Sequence, residues 1–326
     1  MAEDLGEQAG DLMGADDDKY LLVDGNNLLS RADHAARAGA TGLASHGVST
    51  GALYYFINSL ARYVRLVGPT HVSVYWDAGH DFRDRIYPRY KANRERPIGV
   101  DGPPFAQTKT FLSWANVPHR SRPGWEADDL IAFTARYTRG QKVILSGDRD
   151  LLQLLGPHTI QYDPNDKSDT PWTPERFEEK YGYPPHQEPY LKALRGDTGD
   201  GVPGLKGIGP KKAEKMMAGV GWDWDALLAS LPEEQREEVK VFRELVDLRY
   251  LDYESKGFSI FNCPSCMAFK PTGPQDMLWG PLRDFLASLE MVTIIERLQT
   301  GALWTPDSDL VAQLDQTAGV FETMDG

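Results

Sequence analysis

Carboxylates gather at a few places in this 326-residue chain, and their spacing points to cation chemistry. The apolar runs Lys19–Asp24 (KYLLVD) and His71–Asp77 (HVSVYWD) end in aspartate, and Lys142–Gly147 (KVILSG) runs directly into Asp148. Trp125–Leu130 reads WEADDL, Gly147–Leu151 reads GDRDL and Gly196–Gly201 reads GDTGDG. A turn or helix cap accounts for any one of these acids alone. Together, Asp24, Asp77, Glu126, Asp128, Asp129, Asp148, Asp150, Asp197 and Asp200 would repel one another strongly, which is tolerable where cations bind. Oxygen donors without a His or Cys cluster favour Mg²⁺ or Mn²⁺ over zinc. So many acids suggest two ions roughly 4 Å apart, a pair suited to phosphoryl chemistry.

Two other stretches suit a polyanion. Phe82–Arg96 (FRDRIYPRYKANRER) concentrates Arg83, Arg85, Arg89, Lys91, Arg94 and Arg96 among Phe82, Tyr87 and Tyr90. Aromatic rings can stack on bases while the cations meet phosphates, although a solvated helix face would look similar. Gly201–Lys212 (GVPGLKGIGPKK) allows a tight turn whose backbone N–H groups approach a phosphate at a helix N-terminus. Lys206, Lys211, Lys212 and Lys215 add charge around Gly207 and Gly209. An ordinary packing turn between helices is the plainer alternative.

The elements that must position these groups follow from the apolar pattern. The three runs ending at Asp24, Asp77 and Asp148 read as buried parallel strands. Helical patterns at Thr50–Leu66 and Asp128–Tyr137 lie between them, so an α/β domain with a mainly parallel sheet is expected. Its ligand site belongs beyond the carboxyl ends of the strands, where the three aspartates lie. After Gly182 the pattern becomes helical, over Glu188–Arg195, Pro210–Met217, Glu233–Tyr250 and Pro281–Leu298. The expected organisation is an acidic tail at 1–18, the α/β domain at 19–183, a helical region at 184–303 and a second acidic tail at 304–326.

With 41% hydrophobic and 25% charged residues the composition is that of a globular protein. The net charge of −13 argues against a nucleic-acid partner until its placement is considered, because both tails carry acids without bases. The acidic N-terminus does not read as a signal peptide, and no apolar run spans a bilayer, so a cytoplasmic location is expected. The two cysteines, Cys263 and Cys266, read as thiols in a reducing compartment, since no second metal-binding pair accompanies them.

The motifs DGNN (24–27), YKANR (90–94), GWEADDL (124–130), SGDRDLLQLL (146–155), LRGDTGDGVPGLKGIGPKKA (194–213) and PLRDFLASLE (281–290) occur in an order that resembles the flap endonuclease or 5′-3′ exonuclease family. The likeness covers roughly 19–300 and is greatest to the N-terminal nuclease domain of bacterial DNA polymerase I and its stand-alone bacterial and phage relatives. It implies a PIN-like nuclease core with a helical arch around 79–123, and a helix-hairpin-helix at 201–217 that grips duplex DNA, often with K⁺ on backbone carbonyls. It implies a monomeric stand-alone nuclease hydrolysing 5′ flaps and 5′ ends of DNA, RNA-primed ends included, in replication, repair or recombination with two Mg²⁺. By the resemblance Asp77, Glu126, Asp128, Asp129 and Asp148 form the main acidic site, with Asp24 after the first strand. Asp150, Asp197 and Asp200 form a second, looser one. Lys91 and Arg94 would steer the scissile phosphate, Tyr90 would stack on the terminal base, and Arg83 would join the DNA contacts.

Two features depart from the family or leave its pattern open. The second acidic motif commonly continues with Asn, where Gly201 stands here. Residues 97–110, rich in Pro and Gly, are expected to lack order without DNA. A non-catalytic branched-DNA binding protein is the other reading; it needs the basic strip and the hairpin but not the full acid set. A phosphatase with a strand-end aspartyl nucleophile wants D-x-D, whereas Asp24 is followed by Gly25-Asn26.

Overall fold

A computed structural model of the chain describes residues 14–38, 44–45, 48–92, 102–166, 168–249, 251 and 276–305. Arg94, Cys263, Cys266 and most of the two acidic tails lie outside the described residues.

The expected strands form where the apolar runs stand: β1 (Lys19–Asp24), β4 (His71–Trp76) and β6 (Gln141–Leu145). Two short strands complete the sheet, β5 (His119–Ser121) and β7 (Thr159–Tyr162), in the order β5-β4-β1-β6-β7. Every pairing in it is parallel. A separate two-stranded ribbon pairs β2 (Ala44–Ser45) with β3 (Val48–Ser49). The chain runs outward from β1 through β4 to β5, then returns to place β6 on the other side of β1. This reversal creates a crevice at the carboxyl ends of β4, β1 and β6, the place where such sheets bind ligands.

Side chains alternate across the sheet. Leu21, Val23, Val74, Trp76 and Leu145 face one core with α1 (Gly25–Ala38), α2 (Gly51–Val67) and α4 (Pro103–Trp114). Tyr20, Leu22, Tyr75 and Ile144 face another with α5 (Ala127–Tyr137). In α2 the stripe Leu53, Phe56, Ile57 and Leu60 is fully buried. Each such side chain contributes about 1.5–3 kcal/mol. Gly25 opens α1 against the end of β4: a Cβ there would lie 2.7 Å from the Tyr75 carbonyl oxygen.

A third core joins α6 (Pro174–Tyr181), α7 (Glu188–Arg195), α8 (Pro210–Gly219), α9 (Trp224–Ser230) and α10 (Glu233–Val246). The expected helix to Tyr250 ends at Val246, because Asp247 turns inward, is buried, and accepts a hydrogen bond from Arg243 Nε at 3.1 Å. The single helix expected over Pro281–Leu298 is instead two, α11 (Trp279–Ser288) and α12 (Val292–Gln299). The break at Glu290, whose φ is 57°, folds Ile294 and Leu298 back onto the core that already holds Leu282 and Leu286. That core is the α1–α2 side of the sheet, not the α6–α10 cluster.

Within 97–110, residues from Pro103 onward are helical. Pro103 and Pro104 stand in the first turn of α4, where a missing N–H costs nothing, and Phe111 and Leu112 are buried. The described inner residues of the two tails are anchored. Asp18 Oδ1 accepts the Thr70 hydroxyl at 3.3 Å, and Trp304 is buried in the core. No helix among the described residues is long and apolar enough to cross a membrane.

Candidate metal centre

The crevice is framed by hydrogen bonds from the first turn of α1 and the end of β6. Asp24 Oδ1 accepts the Asn27 N–H at 2.9 Å, and Oδ2 accepts the Ser146 hydroxyl at 2.9 Å. Ser146 Oγ in turn accepts the Asp148 N–H at 3.0 Å. Asn27 Oδ1 accepts the Gly147 N–H and Asn26 Oδ1 the Asp77 N–H, both at 2.9 Å. Asp77 Oδ1 accepts the N–H of Ala127, the first residue of α5, at 2.8 Å. From β7, Gln161 Nε2 donates to the carbonyls of Ser146 and Asp148 at 2.8 and 2.7 Å. Three strand ends and a helix start are thereby locked around one rim.

The electrostatics show that the rim acids share one field. Burial first, then the charges of Asp77 and Asp148, push the Asp24 carboxyl up to about 7, against the donors from Asn27 and Ser146. Asp128 is raised well above its ordinary value by burial and by Asp148, Asp24 and Asp77. Burial also raises Asp77, with Glu126 adding to it, and raises Asp148, with Asp150 adding to it. Among the described residues, no lysine or arginine forms an ion pair with Asp24, Asp77, Asp128 or Asp148.

Glu126 and Asp129 behave differently. They form a reciprocal cap at the start of α5, with the Glu126 N–H donating to Asp129 Oδ2 at 3.0 Å. Asp129 is fully buried and takes both ends of the Arg83 guanidinium, at 2.8 and 2.6 Å. Arg83, itself 2% exposed, also donates to Glu126 Oε2 at 3.0 Å and to the Leu245 carbonyl at 3.0 Å. Arg83 was expected to meet DNA and Asp129 to hold metal. Their mutual pairing inside the protein removes both from the crevice. Burial alone would raise Glu126, but Arg83, Lys91 and Tyr90 hold it below the usual carboxylate range.

A second acidic group lies beside the first. Asp150 opens a short 3₁₀ turn after β6, and Asp197 and Asp200 sit in the loop after α7. One carboxylate oxygen from each lies within 4.8 Å of the others. Lys192, on α7, pairs with Asp150 and, at 2.7 Å, with Asp197. Burial would raise Asp197, but this ammonium holds it below its ordinary value. Lys192 was not anticipated: within Tyr190-Leu191-Lys192-Ala193-Leu194 nothing but its position one helical turn before Asp197 marks it.

Tyr90 and Lys91 join the two groups. The Tyr90 hydroxyl is 3.0 Å from Glu126 Oε2 and 3.2 Å from Asp200 Oδ2. Lys91 Nζ pairs with Glu126 and lies 3.8 Å from Asp200 Oδ2. Tyr90 is 3% exposed, so in this state its ring is not presented for stacking on a base.

Beyond Asp200 the chain turns tightly into α8. The Asp197 N–H and Val202 carbonyl, and the reverse pair, bond at 2.8 Å, and the Leu205 N–H donates to the Leu194 carbonyl at 2.8 Å. Lys206, Gly207, Gly209, Lys211 and Lys212 are all exposed on one turn.

The donor chemistry of the rim fits a hard divalent cation. Every candidate ligand is a carboxylate, and Asp24, Asp128 and Asp148 are buried or half-buried with no ion pair to a described lysine or arginine.

Residues 19–182 match the family model described as 5′-3′ exonuclease, N-terminal resolvase-like domain. The chain is 38% identical over 207 residues to DNA polymerase I of Mycobacterium bovis, covering 62% of this chain and 23% of the polymerase. It therefore spans only a fraction of the length of such relatives. It is 32% identical over 246 residues to a 5′-3′ exonuclease of Aquifex aeolicus, covering 72% of this chain and 82% of that protein. The bacteriophage T5 D15 flap endonuclease, solved as a pseudo-enzyme-product complex with DNA and metal ions, superposes with a TM-score of 0.59 at 21% identity, covering 83% of this chain and 99% of that one. At that identity the likeness speaks for a common fold.

Proposed function

This chain belongs to the 5′-3′ exonuclease family, and on that premise we propose that it hydrolyses DNA phosphodiesters at 5′ ends and 5′ flaps. The observation that carries the reading is the group Asp24, Asp77, Asp128 and Asp148, converging with no ion pair to a described lysine or arginine at the crevice where the strand order reverses. With Glu126 these acids would hold one Mg²⁺, and Asp150, Asp197 and Asp200 a second; Mn²⁺ can substitute. Bound there, the ions supply an activated water and neutralise the leaving oxygen.

The protein's own part is placement. Asn26, Asn27, Ser146 and Gln161 fix the backbone of Asp77, Gly147 and Asp148, and Ser146 and the Asn27 N–H hold the Asp24 carboxylate, before substrate arrives, so little reorganisation is left for the reaction. Lys91, held between the two acid groups, is placed to meet the scissile phosphate, and the family likeness gives Arg94 the same task. The turn carrying Lys206, Gly207, Gly209, Lys211 and Lys212 offers exposed backbone and ammonium groups to a duplex, with K⁺ on its carbonyls. That the T5 relative was solved with DNA and metal ions supports a DNA substrate. The chain acts as a monomer in the cytoplasm, RNA-primed 5′ ends being among its substrates.

The test is cleavage of a 5′-labelled flap and a 5′-labelled blunt duplex with Mg²⁺ and with EDTA. Metal-dependent products are expected from both, a junction-length fragment from the flap and short 5′ products from the duplex. An intact flap under conditions where a control nuclease cuts it would refute the proposal.

A further inference from the structure

The turn at residues 87–92 sits directly on the second acidic loop. The Lys91 N–H donates to the Asp200 carbonyl at 2.8 Å, and the Tyr90 N–H and Ala92 N–H close the turn on the carbonyls of Tyr87 and Arg89 at 2.9 and 3.3 Å. Lys91 itself adopts φ 49°, a left-handed conformation uncommon for a residue with a Cβ. Such a backbone persists where its surroundings hold it. Here two attachments hold it: the amide on Asp200, and the ammonium between Glu126 and Asp200.

The position facing this turn is Gly201, with φ +71°. A Cβ placed on Gly201 would come 2.7 Å from the Arg89 carbonyl oxygen and 3.6 Å from the Lys91 nitrogen. The first distance is a contact between two backbones, which only a movement of the turn or the loop can relieve. Asn tolerates the left-handed region, so the conformation alone does not require glycine. The close approach of the Arg89 carbonyl does.

We propose that Gly201 is a positioning residue: by carrying no side chain it lets the 87–92 turn seat on the Asp197–Asp200 loop, and so sets Lys91 between the two acid groups. The proposal rests on the nuclease reading for its consequence in catalysis, but its structural half stands independently. Any side chain at 201 lifts the turn, breaks the Lys91–Asp200 backbone bond and moves the ammonium off Glu126. Lys91 then meets a phosphate from the wrong place. A displacement of that order costs about ten- to a hundredfold in rate.

The experiment uses the full chain and the variants Gly201→Asn, Lys91→Ala and both together. Hydrogen exchange should show the Lys91 amide protected in the parent protein and exposed in Gly201→Asn, with the core amide of Leu21 unchanged. With Mg²⁺ and a 5′-flap duplex, Gly201→Asn should lower kcat by about ten- to a hundredfold and leave KM within about twofold. In the Lys91→Ala background it should cost less than about twofold more, because a residue acting through Lys91 has nothing left to misplace. Unchanged Lys91 protection, or fully additive rate losses, would overturn the proposal. Loss of Leu21 protection would overturn it too, since the displacement is confined to the turn. A parent protein that cuts no DNA while the exchange result holds would refute the nuclease reading and leave the structural role of Gly201 standing.

Discussion

The two acidic groups of the crevice differ in what balances their charge. Asp24, Asp77, Asp128 and Asp148 stand at strand ends and a helix start and form no ion pair with a described lysine or arginine, and neutral donors hold the carboxylates of Asp24, Asp77 and Asp148. Asp150, Asp197 and Asp200 stand on a 3₁₀ turn and a loop, with Lys192 and Lys91 among them. Mutual repulsion and burial raise the carboxyls of the first group, so a divalent cation should gain strong attraction there. In the second, a cation has to displace an ammonium first. On the proposed reading the first group should be the tighter site, with the second filled at higher metal concentration.

The largest expected effect is on the first group. Asp148→Ala should retain DNA binding and lose about three orders of magnitude in cleavage rate, on the scale of removing a group that stabilises developing charge. Gel-shift and single-turnover assays separate the two. Wild-type rates in that variant would remove Asp148 from the chemistry.

Asp129 provides the contrast. Asp129→Ala leaves the buried Arg83 with Glu126 as its one described carboxylate partner, so its cost should be to stability, about 3–5 kcal/mol by urea unfolding. The variant, where folded, should bind the same number of Mn²⁺ ions by calorimetry. A lost ion would return Asp129 to the ligand set.

The raised carboxyls give a pH dependence. Asp24 has a folded value of about 7 against an ordinary 3.8, so the native state holds its proton more tightly than the unfolded chain. The stability this contributes is complete below the ordinary value and is lost as pH rises through about 7. In EDTA the protein should therefore melt at a lower temperature at pH 8 than at about pH 5.5. Saturating Mg²⁺ should raise the melting temperature more at pH 8, where the carboxylates are free of protons. Equal melting in EDTA at both values would contradict the picture of a repulsive rim.

The smallest effect concerns Lys192. Lys192→Met removes the ammonium from Asp150 and Asp197, and should tighten the weaker Mn²⁺ event by about tenfold while leaving the tighter one in place. Loosening of the weaker event would mean that Lys192 organises the second group instead of competing for it.

How much of this was legible in the sequence follows from what each residue's neighbours reveal. The rim was readable because β1, β4 and β6 are short unbroken apolar runs and each delivers an aspartate at or just beyond its end. The spacing of GDRDL and GDTGDG marked Asp150, Asp197 and Asp200 as candidates, but their separation into a second group was readable only through the resemblance, since loop acids have no periodicity. Arg83 was misread because counting charges in Phe82–Arg96 does not tell an inward guanidinium from an outward one. A signal for Asp129 was present: Glu126 and Asp129 stand at the spacing of a capping box, which assigns side chains to backbone N–H groups. The break at Glu290 was hidden because the apolar stripe of 281–298 continues across it, and the need to fold back onto the sheet is a tertiary matter.

The most direct test of the central claim is anomalous scattering from crystals grown with Mn²⁺. A strong peak is predicted among the carboxylates of Asp24, Asp77, Asp128 and Asp148, with a second appearing at higher Mn²⁺ beside Asp150, Asp197 and Asp200. Density for Mn²⁺ at other carboxylates and none at the rim would contradict the account.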